Sequence, residues 1–127
     1  MASLTPTMAN TILFVDDDAD LREIVTDLLS ASGYEVDVAE DGEMAIDKLQ
    51  QKEYAVVLLD ITMPHKNGME VLRFTKDHSM NCRVIMLTGM VGLSVAIESI
   101  KLGAADYITK PYNMEYLLTS IKRALAK

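Results

Sequence analysis

Residues 55–60 read AVVLLD, five uninterrupted apolar residues closing on a single acid. A strand with one face in water would alternate apolar and polar residues, so an unbroken run belongs to a strand covered on both faces, as in the middle of a parallel sheet. Outward from it, similar runs occur at Thr11–Val15, Glu35–Ala39, Arg83–Leu87 and Asp106–Ile108, with Ala55–Leu59 the third of five. Their starts lie 20 to 28 residues apart, too far for hairpins and right for strand–helix units. The intervening segments carry helical periodicity. Leu21, Ile24, Val25, Leu28 and Leu29 form an apolar stripe that stops before Gly33. Asp41 is suited to cap a second helix bearing Ala45, Ile46 and Leu49, with Glu43 in its first turn. A third helix is predicted to start near Gly68 and bury Met69, Val71 and Leu72. A fourth is capped by Ser94, carries Ile97, Ile100 and Lys101, and ends at Gly103. Asn113 caps a fifth, with Leu117, Leu118, Ile121 and Leu125.

Five such units predict an α/β domain, a doubly wound (βα)5 fold on a parallel sheet, because crossovers between parallel strands are right-handed. The short last strand, polar at its start, suits a sheet edge. The domain is expected over residues 11–127, after a loosely packed lead-in at residues 1–10. At 127 residues, half of them hydrophobic, the chain can bury roughly two thirds of its unfolded surface without metal or disulfide staples. Cys82 is the only cysteine, and His65 and His78 are the only histidines, so thiolate and polyhistidine metal sites are excluded. No apolar run approaches the ~18 residues of a membrane span, and MASLTPTMAN lacks the features of a secretory signal, so a cytoplasmic location is expected. The excess of 19 acidic over 12 basic residues argues against nucleic acid as a direct partner.

In doubly wound sheets ligands bind beyond the carboxyl ends of the strands. Asp16 and Asp17 stand there after strand 1, Asp60 after strand 3, Thr88 after strand 4, and Lys110 and Pro111 after strand 5. Three carboxylates in one cleft repel one another, and a hard divalent cation relieves this. An all-oxygen set with few carboxylates favours Mg²⁺, which keeps waters and joins phosphate oxygens. With Lys110 as an anion-binding pole and Thr88 as a hydrogen-bond donor, the set reads as a phosphoryl site. Asp60, at the end of the most apolar strand, is the candidate nucleophile. The alternation Asp16, Asp18, Asp20 imitates a calcium loop, but its sixth position is Leu21 and its twelfth is Asp27, so an EF-hand is rejected.

The segments ILFVDDDADLREIV (12–25), VVLLDITMPHKNGMEVL (56–72), Thr88-Gly89 and GAADYITKPY (103–112) together resemble the receiver domain of two-component response regulators. The resemblance covers about residues 10–127. It implies a flavodoxin-like sheet of order 2-1-3-4-5. It also implies that Asp60 accepts a phosphoryl group from the phosphohistidine of a histidine kinase or phosphotransfer protein. Asp17 and Asp60 would bind Mg²⁺, with Asp16 acting through water and the backbone carbonyl of Thr62 as a further ligand. Thr88 and Lys110 would contact the phosphoryl oxygens, the Lys110-Pro111 bond would be cis, and Tyr107 would be the aromatic switch. The face made by helix 4, strand 5 and helix 5 would then report the change to an output domain or partner, or to a second copy in a homodimer. Gly89 replaces a more usual Ala or Ser, and Thr62 and Met90 occupy positions that tune dephosphorylation. A small aspartyl-phosphate phosphatase or phosphotransferase is the competing reading, but its D-x-D-x-[TV] signature and a substrate cap are missing. A flavin-binding protein would need a Ser/Thr/Gly-rich loop after strand 1, which this chain lacks. Ending in helix-like sequence at Lys127, the chain suits either a stand-alone receiver or one followed by an output domain.

Overall fold

The computed structural model of the chain describes residues 10–61, 67–89, 93–109 and 113–126, without the side chains of Thr88 and Leu93. Strands and helices alternate as β1 (Thr11–Val15), α1 (Ala19–Ala31), β2 (Glu35–Ala39), α2 (Gly42–Gln51), β3 (Val56–Asp60), α3 (Gly68–Asp77), β4 (Arg83–Thr88), α4 (Leu93–Lys101), β5 (Asp106–Thr109) and α5 (Met114–Leu125). The five strands form one parallel sheet in the order β2-β1-β3-β4-β5, the flavodoxin-like arrangement expected from the sequence. Except for Asn10, the lead-in assigned to residues 1–10 lies outside the described residues.

Two apolar layers sandwich the sheet. Leu13, Val15, Val57 and Leu59 pack with Ala45 and Leu49 of α2 and Val71 and Leu72 of α3 on one face. Ile12, Phe14, Val56 and Leu58 pack with Val25 and Leu29 of α1 and Leu117 and Ile121 of α5 on the other. Alternate residues of β1 and β3 therefore enter opposite cores, which is why both strands are apolar throughout.

Helix starts are set by side chains that accept otherwise unpaired amides. Asp18 caps α1 and Asp41 caps α2, while Asn67 and Glu70 form a reciprocal capping box on α3 and Asn113 caps α5. Gly33 and Gly103 adopt φ of +98° and +100° just beyond α1 and α4, a left-handed turn that favours glycine.

The structure corrects the sequence reading at several points: β3 starts at Val56, not Ala55, and β4 and β5 run on to Thr88 and Thr109. β3 runs one residue further than Leu59, because Asp60 continues the ladder opposite Leu87. Ser94 is not a cap: the helix has already begun at Leu93, whereas a capping residue needs extended backbone. The isoleucines that mark α4 in the sequence do not enter the core. Ile97 and Ile100 are about half exposed, and Ser99 is fully buried. Its hydroxyl can be buried because it donates to the Val95 carbonyl (2.9 Å) and lies against the Met69 sulfur (3.4 Å). On α1, Ile24 likewise points to solvent.

Candidate functional site

Parallel register brings the strand ends level. Val15 is opposite both Ala39 and Leu59, so the residues that follow Val15 and Leu59, Asp16 and Asp60, emerge side by side. Pairing continues past β1, where the Asp16 amide donates to the Ala39 carbonyl (3.1 Å). The β1–α1 turn then closes through side chains. Asp16 Oδ1 accepts the Asp18 amide (2.9 Å), and Asp18 Oδ1 accepts the amides of Asp20 and Leu21 (3.0 and 3.2 Å). From the first turn of α1, Arg22 Nη1 donates to the Asp16 carbonyl (2.7 Å).

Beyond β3 the Ile61 amide donates to the Leu87 carbonyl (3.1 Å), and the Gly68 amide to the Ile61 carbonyl (2.9 Å). The N-terminus of α3 thus rests directly on the end of the strand that carries Asp60. A Cβ on Gly68 would lie 2.3 Å from the Asp60 carbonyl oxygen and 2.8 Å from the Ile61 Cα, so no other residue fits without moving the backbone.

Asp16, Asp17 and Asp60 converge: one carboxylate oxygen of each lies within 4.8 Å of the others, with Asp16 and Asp60 buried and Asp17 exposed. Among the described residues, this is the group of His, Cys, Asp and Glu side chains able to hold a metal ion. At that separation two unit charges repel by about 3 kcal/mol at an effective dielectric constant of 20. A hard divalent cation fits this all-carboxylate donor set, in which Asp17 is exposed.

The other expected contributors are only partly described. The backbone of Thr88 ends β4, opposite Thr109 of β5, and its hydroxyl lies outside the described atoms. Thr62, His65, Met90, Lys110 and Pro111, with the cis bond expected between the last two, also lie outside the described residues. Tyr107 is half-buried in β5 opposite Met86, and burial raises its phenol above the ordinary value. Sequence reading missed Arg22 and the close approach at Gly68. Both are visible only in three dimensions, since Asp16 lies outside the helix that carries Arg22.

A family model for the response regulator receiver domain matches residues 12–122. The chain belongs to that family. This receiver domain is 37% identical over 119 residues to the chemotaxis protein CheY of Bacillus subtilis (strain 168), covering 93% of the chain and 99% of that protein. It is 38% identical over 118 residues to the transcriptional regulatory protein CpxR of Escherichia coli (strain K12), covering 93% of the chain but 50% of CpxR. A solved receiver domain protein (CheY-like) from Methanospirillum hungatei JF-1 superimposes with a TM-score of 0.88 at 32% identity, over 92% of this chain and 94% of that one. Receiver domains are the response-regulator part of two-component signalling systems, and no helix among the described residues is long and apolar enough to cross a membrane.

Among the described residues, His78 and Cys82 lie outside the acid group. His78 Nδ1 is 2.9 Å from the Phe74 carbonyl at the end of α3, with its ring against Phe74. Cys82 is half-buried just before β4, and burial pushes its thiol up to about 11 from an ordinary value of 9.0, against smaller opposing effects of a backbone hydrogen bond and Arg83. Two units leave on the order of a hundredfold less thiolate near neutral pH. Alkylation by iodoacetamide at pH 8 should therefore be slower by about that factor in the folded protein than in urea, and equal rates would show an unprotected thiol. Between about pH 9 and 11 the unfolded chain gives up this proton and the folded one keeps it, so this group's contribution to stability is lost as pH rises through that window.

Proposed function

We propose that the domain is a phospho-acceptor switch in which Asp60 takes a phosphoryl group from the phosphohistidine of a partner histidine kinase or histidine phosphotransfer protein. The convergence of Asp16, Asp17 and Asp60 at adjacent strand ends carries this reading. Asp17 and Asp60 would hold Mg²⁺ directly, Asp16 through water, and the Thr62 carbonyl would add a ligand. Bound there, Mg²⁺ would neutralise charge on the carboxylates and on the phosphoryl oxygens. An Asp60 oxygen forms the new bond to phosphorus as the phosphorus–nitrogen bond of the donor breaks, and the electron pair leaves with the imidazole nitrogen, which gains a proton. Thr88 and Lys110 meet the phosphoryl oxygens through charge-assisted hydrogen bonds.

Movement of Thr88 toward the phosphoryl group would open space for Tyr107 to turn, altering the surface of α4, β5 and α5. The exposed Ile97, Ile100 and Tyr116 on α4 and α5 support a partner surface there. A near-complete switch requires about 5 kcal/mol of preferential stabilisation. The domain would act in the cytoplasm, without binding nucleic acid itself. It would catalyse its own phosphorylation and hydrolysis, and deliver the change to an output domain, a separate protein or a second copy.

Acetyl phosphate with Mg²⁺ should add one phosphoryl mass to the protein, and EDTA should prevent it. Rapid turnover of small phosphate esters would instead favour the phosphatase reading. A phosphate mimic should shift the NMR signals of Thr88, Tyr107 and α4; unchanged signals would overturn the conformational step.

A further inference from the structure

We infer that Arg22 is a positioning residue for the acid site, setting the direction from which Asp17 meets a bound cation; this rests on the reading of Asp16, Asp17 and Asp60 as a Mg²⁺ site. An arginine at the end of the first helical turn is electrostatically misplaced, because the amino end of a helix is positive and favours acids. In α1 the guanidinium instead reaches back to the Asp16 carbonyl at 2.7 Å. That carbonyl belongs to the peptide joining Asp16 to Asp17. Because the peptide is planar, holding its oxygen fixes the Asp17 nitrogen and Cα, and with them the origin of the Asp17 side chain. The preceding residue is already tied down by the bonds from its amide to Ala39 and from Asp18 to its carboxylate. Asp17, exposed and beyond the end of β1, has no sheet pairing to orient it. The bond from Arg22 supplies that orientation, as partners behind metal ligands commonly do.

Position and charge predict opposite signs, which makes the inference testable. Were Arg22 only a positive charge near three carboxylates, its removal would tighten Mg²⁺ binding. As a positioning residue, its removal should weaken binding, with Kd rising on the order of tenfold in Arg22→Ala. The measurement is a Mg²⁺ titration of the ¹⁵N-labelled protein followed by the amide shifts of Asp17 and Asp18, alongside the metal-free melting temperature. Arg22→Gln also removes the charge while keeping more of the side-chain packing, and serves the same comparison if Arg22→Ala does not fold. A raised Kd in a variant that melts within a few degrees of the parent supports positioning; an unchanged or lowered Kd overturns it. If the parent protein itself binds no Mg²⁺, the acid-site reading falls and this inference with it. Binding by the parent with no change in the variants removes Arg22 alone.

Discussion

Asp60→Asn should leave the protein unable to take up a phosphoryl group, yet more resistant to heat when Mg²⁺ is absent. The substitution preserves shape and removes both the oxygen proposed to attack and one negative charge. Asparagine presents an amide where the reaction needs a carboxylate, so mass gain from acetyl phosphate should fall to background. Stability responds in the other direction because Asp60 is buried, with an oxygen within 4.8 Å of those of Asp16 and Asp17. Each such pair of charges repels by about 3 kcal/mol at an effective dielectric constant of 20. Solvent at the exposed Asp17 screens part of this repulsion. A net gain on the order of 1 kcal/mol, a few degrees in melting temperature, is expected without the metal. Added Mg²⁺ should narrow the gap, because it stabilises the parent more than the variant. Mass spectrometry and thermal melts with and without Mg²⁺ check both parts. Phosphoryl uptake that survives Asp60→Asn would locate the acceptor elsewhere.

Gly68→Ala should be the most damaging small substitution near the site. The added methyl would lie 2.3 Å from the Asp60 carbonyl oxygen, 2.8 Å from the Ile61 Cα and 3.0 Å from the Asp60 carbonyl carbon. All three are backbone atoms, so no rotamer change relieves the contact. Either α3 lifts off β3 or the end of β3 moves. A cost of about 3 kcal/mol is expected, lowering the melting temperature by about 10 °C. Phosphoryl uptake should fall as well, since the displaced backbone is that of the proposed acceptor. Gly89→Ala provides the comparison, because a Cβ there meets nothing within 4 Å. Equal melting temperatures for the two variants would show that α3 can shift without strain.

Much of the sheet was legible because a strand buried on both faces has no polar alternative. AVVLLD and ILFVD read as central strands, and the short, initially polar DYIT lies at an edge. The caps at Asp41 and Asn113 were equally readable, since a short acceptor ahead of an apolar stripe has a local role. The orientation of α4 was not, because periodicity places Ile97 and Ile100 on a stripe but cannot reveal that Ser99 satisfies its own hydroxyl and turns inward. At the site, the position of Asp16, Asp17 and Asp60 at strand ends was enough to bring them together, because parallel strands share a polarity. The supports around them were hidden. Nothing in one dimension shows that Gly68 touches the Asp60 carbonyl, or that Arg22 folds back on Asp16.

The inward serine of α4 has a mechanical consequence. A helix wedged into a core by two isoleucines would forfeit a large transfer free energy whenever it tilted. Among the described side chains, α4 instead meets the core through Ser99 and the half-buried Val95, with Leu102 just beyond its end, while both isoleucines are about half exposed. Tilting the helix therefore costs little through those two isoleucines, whereas β1 and β3 are buried on both faces. The acids thus stand at the ends of strands buried on both faces, while α4 offers two isoleucines to a partner or to solvent.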